Sequence, residues 1–462
     1  MRTRATRRAA ARYRWDRLQV SLWFAPAVMS LAAVLLAWAM YWLDSRIANE
    51  ALADSRFVLS GTVGELRTSL LTMATTTLAT AGVVFTLLTL PLSTVAAQYG
   101  SRLLRVFLGD RTTQLVLGMF VATFVYCIAA MLSILPVTVQ PEGPQLTATV
   151  GLLLMMATFA SLILLVQHIS TMLQAPNIAA AAGAELMEVV QAEITNEFSI
   201  GDDRALSTVE QTGQGAPDTP AGKNTLMETE GYLARLSNTG YLQYIDPETL
   251  LTLAREKDLV IRLLRKPGHF VGRGVAVAQV WPADRVDEQL ETQIRQVFQI
   301  GNVRTPTQDV EYAVNQLVEM AVRAMSPAIN DPFTAMTCLD HIGEGLALFI
   351  QQGEKGSHYY DRKGRLRLVL EPVTFDQLLS AAFDMLRHAS CDNASVLLHI
   401  LEVIAVIGQE AQAPEARQQL LRHVSLIQTE SQAGDLIEQD RQAIGLCCQD
   451  LQTRLGGALS AR

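Results

Sequence analysis

Cysteine pairs, basic clusters and catalytic signatures are scarce in this sequence, and each absence bears on a class of protein. The five cysteines form no C-x-x-C pair, so they fit reduced thiols rather than a disulfide framework. Apart from the extreme N-terminus no basic cluster occurs, and the net charge is −8, which argues against nucleic acid as a partner. G-x-S-x-G, H-E-x-x-H and Walker sequences are absent, so the motifs nominate no enzyme, although they do not exclude one.

A metal or cofactor also has no signature here. The nearest approach is His388, Cys391 and His399, which would supply three ligands from helical segments. A site would need a fourth ligand and convergent geometry, and a single H-x-x-C spacing is too common to predict it. We therefore expect neither a bound metal nor a cofactor.

Four long apolar runs are the main feature that the sequence does have. They cover about residues 20–43, 70–97, 114–135 and 146–166, and each is long enough to cross a bilayer as a helix. No Asp, Glu, Lys, Arg or His lies inside any of them. Because ion-coupled carriers and proton relays normally keep such groups at membrane depth, secondary active transport is disfavoured.

Basic residues outside the runs predict their orientation. Arginines crowd residues 1–17, and the loop at 102–111 is basic, whereas the loops at 44–67 and 136–145 are not. Short cytosolic loops carry the excess of Lys and Arg. The sequence therefore predicts a multi-pass protein of the inner membrane with both termini in the cytoplasm, whose first run is an anchor and not a cleaved signal peptide.

The second apolar run is rich in threonine. Thr72, Thr76 and Thr80 follow one another at intervals of four, which places them near one face of a helix. In an oligomer that face could line a pore, whereas in a plain bundle the same hydroxyls would bond to neighbouring helices. The sequence leaves both interpretations open.

The chain after the last run changes in composition and predicts a cytosolic part. Leu186, Val190, Ile194 and Phe198 recur every four residues, which indicates a helical stalk that could pack against a copy of itself. The predicted fold is an α-helical membrane protein with four transmembrane helices followed by a cytosolic α+β domain that is mostly helical. Its predicted parts are a basic cytosolic N-terminus (1–19), a four-helix transmembrane domain (20–168), a helical stalk (169–200), a flexible linker (201–224), a small α+β unit (225–283) and a helical cytosolic domain (284–462).

Alternation and helix-start signals predict individual elements of the cytosolic part. Strands are expected at 240–245, 259–264, 274–281 and 365–370, and Asp246 followed by proline is expected to start a helix. Helices are predicted at 289–298, 306–325, 331–351, 375–388, 395–408, 414–430 and 434–455. The glycine-rich stretch 268–274 precedes a strand rather than a helix, so it is typical of a turn and not of a phosphate loop.

Residues 326–335, Ser-Pro-Ala-Ile-Asn-Asp-Pro-Phe-Thr-Ala, are the most informative stretch of the chain. Pro327 and Pro332 cannot both lie in one regular helix, because each lacks an N–H and clashes with the preceding turn. Asp331 is predicted to cap a new helix that has Pro332 in its first turn. The sequence therefore predicts a corner between two helices.

The helix before this corner is predicted to begin at Thr305, with Gln308 completing a capping box. Glu319 and Arg323 are spaced as a favourable ion pair on its polar face.

Polar residues around the corner, with His341 close in sequence, could form an anion site at a helix N-terminus. The alternative is a purely structural corner, which the Asp-Pro cap already explains. The candidates for a ligand site or a structural hinge are Arg304, Asp309, Arg323, Ser326, Asn330, Asp331 and Asp340.

With these motifs in view, the chain resembles the bacterial family of predicted membrane proteins called domain of unknown function 2254. The resemblance rests on residues 97–104 (Ala-Gln-Tyr-Gly-Ser-Arg-Leu-Leu), 117–120 (Leu-Gly-Met-Phe), 301–309 (Gly-Asn-Val-Arg-Thr-Pro-Thr-Gln-Asp) and 326–340. The family looks as though it prefers Ser-Pro where this chain has Gly-Ser at 100–101. The resemblance implies four spans and a cytosolic domain, and it implies no established activity.

Uncharged, Thr-rich spans joined to a large cytosolic part favour a homo-oligomeric, channel-like protein whose cytosolic domain senses or gates. Its expected partners are the lipid bilayer, copies of itself and a small cytosolic ligand of unknown identity. The alternative is a non-conducting membrane-anchored signalling or scaffold module, and a less favoured one is an enzyme on the cytosolic face.

Overall fold

The computed structural model describes residues 23–46, 59, 61–98, 110–134, 144–172, 174–195, 230–354, 356–361 and 364–460. The predicted basic N-terminus and flexible linker lie outside the described residues, as does most of the 97–104 motif. The chain divides into two units, Met1–Ile178 and Ala179–Arg462.

Four helices make up the described part of the first unit. They are α1 (Phe24–Asp44), α2 (Val63–Gln98), α3 (Arg111–Ile134) and α4 (Gln145–Met172). All four are long and apolar enough to cross a membrane. Helix α3 contacts the other three, and its Phe120, Tyr126, Cys127 and Ala130 are fully buried.

Carboxylates at helix ends fasten the first unit. Asp44 at the end of α1 accepts the N–H groups of Leu146 (3.0 Å) and Thr147 (2.8 Å) at the start of α4. Asp110 accepts the N–H of Thr113 at the start of α3 (2.7 Å) and lies 3.0 Å from Nε2 of His168 on α4. Both carboxylates satisfy N–H groups that a helix start leaves without partners. Each of them also joins two helices: Asp44 joins α1 to α4, and Asp110 joins α3 to α4.

The predicted stalk is helix α5 (Ala175–Thr195). Its Leu186 and Val190 are buried, as the four-residue spacing requires. A Cβ placed on Gly345 would lie 2.6 Å from Leu186, so the two residues are in close contact. The chain itself therefore covers this face at Leu186, and packing of the helix against another copy stays a prediction.

In the described part of the second unit, eight strands form two sheets. The five-stranded sheet has the order β1-β5-β3-β8-β7, in which β3 and β8 are parallel, and the three-stranded sheet has the order β4-β2-β6. The strands are β1 (Tyr232–Arg235), β2 (Gly240–Ile245), β3 (Val260–Leu263), β4 (Phe270–Val271), β5 (Ala276–Trp281), β6 (Phe298–Gly301), β7 (His358–Tyr360) and β8 (Leu366–Val369). Because β8 pairs with β3, the boundary predicted between residues 283 and 284 falls inside one sheet-containing unit.

Two short helices accompany the sheets, α6 (Pro247–Glu256) and α7 (Glu288–Gln296). Asp246 caps α6 by accepting the N–H of Thr249 (3.1 Å), which confirms the predicted start. Helix α7 is shorter than predicted, because Phe298 begins β6 and pairs with Ile245 of β2.

The remaining helices pack against one another. They are α8 (Val310–Ala324), α9 (Pro332–Gln352), α10 (Phe375–Ala389), α11 (Ala394–Glu410), α12 (Pro414–Ala433) and α13 (Glu438–Ser460). Helix α9 contacts α8, α10 and α11. Among the described helices it is a fifth one with the length and composition of a membrane span. Half of its most apolar stretch is buried against the rest of the chain.

A buried histidine marks the contact between α10 and α12. His423 is fully buried and lies edge-on to Phe383, with ring centroids 5.7 Å apart. Within the described residues neither ring nitrogen has a hydrogen-bond partner, and the Asp384 carboxylate is 3.9 Å from Nδ1. Burial lowers the pKa of His423 below its ordinary value, against the opposing charge of Asp384.

We expect His423 to make the protein less stable in mild acid. Because its pKa is lower in the folded than in the unfolded state, the unfolded chain takes up the proton first. The free energy of unfolding should therefore fall as the pH drops below about 6.5. His423→Leu should reduce this slope in chemical denaturation series at successive pH values. His388→Leu, at a side chain that is 84% exposed on α10, is the control. Equal slopes in wild type and His423→Leu would contradict the expectation.

Candidate functional site

Residues 301–309 connect the three-stranded sheet to α8. The segment leaves β6 at Gly301 and reaches α8 at Val310. On the way, the Gln308 side chain accepts the N–H of Ile245 (2.9 Å) and donates to the carbonyl of the same residue (3.1 Å). The segment is thus hydrogen-bonded to the end of β2.

The start of α8 differs from the prediction. Thr305 makes no capping hydrogen bond, and Pro306–Gln308 form a separate turn of 3₁₀ helix. The cap is Asp309, which accepts the N–H of Tyr312 (2.9 Å). The predicted capping box is therefore wrong, because the amide of Gln308 is bonded to β2 and not to the helix start.

Asp309 is also one half of a charged pair. Its oxygens accept Nε (2.9 Å) and Nη2 (3.0 Å) of Arg304, and only 3% of its side chain is exposed. Burial raises the pKa of Asp309, while the Arg304 guanidinium and the Tyr312 N–H oppose that shift. Gly268 lies against the pair with φ at +90°, where a Cβ would collide with an Asp309 oxygen. The pair therefore requires glycine at this position.

The corner at 326–335 has the predicted helix cap. Asp331 accepts the N–H (3.1 Å) and the hydroxyl (2.5 Å) of Thr334 in the first turn of α9. Its own N–H returns to the carbonyl of Ala324 at the end of α8 (2.8 Å). Between them Asn330 has a positive φ of 48°, a conformation that Asn tolerates better than most residues. Its N–H bonds to the Ser326 carbonyl (2.9 Å).

The structure distributes the other candidate residues among separate partners. Arg323 pairs with Glu319 on its own helix (3.1 Å), which confirms the predicted spacing. Asp340 accepts from Nε2 of His399 on α11 (2.7 Å). Of the seven candidates, Arg304 and Asp309 are bonded to each other, and the geometry of Asp331 is that of a helix cap.

Two of the three residues considered for a metal have carboxylate neighbours in the structure. His399 lies between Asp340 and Glu402, whereas His388 lies 3.9 Å from Glu430. Across the described ranges no three His, Cys, Asp or Glu side chains are arranged to hold a metal ion.

The three predicted pore threonines do not share one exposed face. Thr72 is exposed, whereas Thr76 and Thr80 are half-buried. An α-helix advances about 100° per residue, so each step of four residues drifts by about 40°. Residues spaced four apart, such as Thr72, Thr76 and Thr80, therefore move progressively away from the face on which the first one lies.

A different set of small residues occupies the exposed face of α2. Its members alternate in steps of four and three residues, a spacing that stays on one side of a helix. They are Thr68, Thr72, Thr75, Ala79, Gly82, Thr86 and Thr89, and all are exposed. Each threonine hydroxyl donates to a carbonyl of the same helix at 2.8–3.1 Å. We call this set the small-residue face of α2.

A polar pocket lies at one end of the three-stranded sheet. It has a volume of about 440 Å³, and Ile300 and Gly301 of β6 line it. The side chains around it are Ser237, Asn238, Thr239, Arg273 and Asn302. The pocket was not predictable from local patterns, because residues 268–274 and 301–309 are separated in the chain and meet only in the fold. The turn 237–239 carried no signal beyond its polar composition.

The chain is similar to a family of predicted membrane proteins and to two mycobacterial proteins. The family model described as "Predicted membrane protein (DUF2254)" matches residues 19–406. The chain is 26% identical over 438 residues to "Uncharacterized protein Rv1290c" of Mycobacterium tuberculosis and to "Uncharacterized protein Mb1321c" of Mycobacterium bovis. The aligned region covers 93% of this chain and 80% of each relative. No solved structure matches the chain.

The two aspartate caps should differ in their contribution to stability. Asp331→Ala removes a partly exposed cap and should lower the free energy of unfolding by about 1 kcal/mol. Asp309→Ala also leaves Arg304 without its carboxylate and should cost about 3 kcal/mol. Chemical denaturation of the full chain, followed by tryptophan fluorescence with Trp281 reporting on the second unit, measures both. Equal losses would show that the corner depends on more than its cap.

Proposed function

The chain belongs to the DUF2254 family of predicted membrane proteins, and on that premise we propose that it is a homo-oligomeric, channel-like protein of the inner membrane. In this proposal the cytosolic part senses a ligand or gates the spans. The observation that carries the proposal is the exposed small-residue face of α2. In membranes, small residues allow helices to approach closely, so such faces are typical of helix–helix interfaces.

We propose that α1 to α4 cross the membrane and that α9 does not. Helix α9 bears Asp340, His341 and Glu344, which are costly at membrane depth. Its mean hydropathy of 1.2 is below the 2.4 of α3 and of α4. A Cβ on Gly343 would lie 2.7 Å from Val403 of α11, so neighbouring helices already cover this side of α9. With the arginine-rich N-terminus inside, four spans put both termini in the cytoplasm.

The small-residue face fits two arrangements of several copies. In one it meets the same face of a neighbour, where Thr, Ala and Gly permit close backbone contact. In the other it surrounds a central path and presents threonine side chains to water and ions. The second arrangement is the channel, and none of the seven residues of this face is charged.

The alternative function is a non-conducting, membrane-anchored signalling or scaffold module. The observation that favours it is that the threonine hydroxyls of the face are bonded to their own helix. They therefore need no water or ion, and a helix–helix interface satisfies them as well as a pore does. An enzyme on the cytosolic face is a weaker alternative, since no described residue set supports a reaction.

The proposed orientation predicts which positions react from outside the cell. Ser45→Cys, just after α1, should be labelled by a membrane-impermeant maleimide in intact spheroplasts, whereas Gln174→Cys, just after α4, should not. Wild type supplies the background, because Cys127 is buried in α3 and the other four cysteines lie on the proposed cytosolic side. Burial also raises the pKa of Cys338 to about 12, which keeps that thiol unreactive. The opposite labelling pattern would reverse the orientation.

The first arrangement, in which the small-residue faces of two copies meet, predicts that filling this face breaks the oligomer. In detergent, the protein mass of wild type should be two or more times the 50.6 kDa of one chain. Gly82→Leu should weaken self-association about tenfold or more, which corresponds to about 1.4 kcal/mol. Val83→Leu, at a neighbouring position that is 57% exposed, is the matched control.

Planar bilayers then separate the two functions. A channel should carry current that Gly82→Leu reduces and Val83→Leu leaves unchanged. A stable oligomer that carries no current under voltage, tension or ligand would favour the non-conducting module. A monomeric wild type would contradict both arrangements.

A further inference from the structure

We propose that the polar pocket binds a small ligand carrying a phosphate group, so that it is the ligand site of the sensing role proposed above. The inference rests on that proposed role and extends it to a specific site. Three loops converge there: the β1–β2 turn, the β4–β5 turn and the segment that follows β6. The pocket is separate from the helix start at Asp331 that the sequence suggested.

The charge of the pocket favours an anion. Arg273 is the one charged residue in its lining, and within the described residues this exposed side chain forms no ion pair. Arg235 lies close by and donates to the Gly274 carbonyl (2.6 Å), which adds a second positive charge near the rim. The chain as a whole has a net charge of −8. An arginine without a carboxylate presents a planar set of donors that matches phosphate oxygens.

The neutral side chains of the pocket favour a ligand with several oxygens. Ser237 and Thr239 bring hydroxyls, and Asn238 and Asn302 bring amide groups. Within the described part of the chain, none of these four side chains is committed to a hydrogen bond. Their donors can therefore serve the remaining oxygens of a phosphate or the hydroxyls of the group that carries it.

The backbone next to the pocket is closely packed. Gly240, with φ at +154°, packs so closely on the Gly301 carbonyl that a Cβ would lie 2.6 Å from its oxygen. The Gln243 side chain donates to the Val303 carbonyl (2.7 Å) and holds the following segment against β2. A site whose backbone is fixed before binding loses less entropy when the ligand arrives.

The pocket leads directly to α8. Asn302 lies two residues before Arg304, whose partner Asp309 caps that helix. A phosphate bound at Asn302 and Arg273 would therefore contact the same segment that carries the buried pair. This connection gives the ligand a physical link to the helical part of the second unit.

The test titrates glycerol 3-phosphate into the purified full-length protein in detergent and follows binding by calorimetry. Wild type should bind it at least tenfold more tightly than glycerol, and added salt should weaken binding because the charges are exposed. Arg273→Gln should weaken binding about tenfold. Arg262→Gln removes the same charge from an exposed position on β3 outside the pocket, and it should bind like wild type.

A second arm distinguishes a soluble phosphate from a lipid headgroup. Dihexanoyl phosphatidic acid, used below its micelle concentration, should bind at least tenfold more tightly than glycerol 3-phosphate if the ligand is a lipid. Equal affinities indicate a soluble phosphate ester. Either result supports the site only if Arg273→Gln weakens binding and Arg262→Gln does not.

Absence of binding by both phosphates, or equal affinities of the Arg273→Gln and Arg262→Gln proteins, would overturn the proposal. Calorimetry reports neither current nor assembly, so this failure leaves the channel proposal in place. If the protein binds phosphate in the pocket but carries no current, the result supports the ligand site and contradicts the channel.

Discussion

The bond between the Arg304 guanidinium and the Asp309 carboxylate joins the sheet region of the second unit to its helices. Arg304 follows β6, and Asp309 begins α8. A carboxylate that is 3% exposed is tolerable only with a charged partner and further hydrogen bonds. Gly268, from the turn before β4, makes room for the pair. Three pieces of chain must therefore be in place together, and the position of α8 in turn supports α9 and α10, which pack on it.

Local signals made much of this fold predictable. The caps at Asp246 and Asp331 each act within three residues of themselves, so the sequence alone is enough to locate the starts of α6 and α9. The strand Gly240–Ile245 was predicted at the bounds observed, because its alternation is a property of six adjacent residues. The apolar runs of α1 to α4 were equally visible, since spanning length is read directly from composition.

Contacts between distant residues were not predictable. Ile261 of β3 pairs with Leu368 of β8. No local sequence pattern predicts that two strands so far apart in the chain pair in parallel. The cap of α8 was misassigned for the same reason, since only the folded chain shows that Gln308 is bonded to Ile245. The buried positions Leu186 and Val190 of α5 were predicted, but the close contact of Leu186 with Gly345 was not. The four-residue periodicity predicts that Leu186 is buried, but it does not predict which residues cover it.

In a bilayer, close packing matters more than apolar burial, because lipid tails are as apolar as leucine side chains. Within the first unit, two glycines permit such packing: Met29 lies against Gly118 of α3, and Leu70 lies against Gly151 of α4. Gly82 on α2 differs, since a Cβ there would meet no atom within 4 Å. In a single chain the small-residue face of α2 is therefore uncovered, although small residues of the same kind permit close packing between the other helices. Another helix could gain contacts there that lipid cannot provide, and in the proposed oligomer a second copy would present its own α2 in the same orientation. We propose that the same close packing also holds copies of the chain together in the membrane.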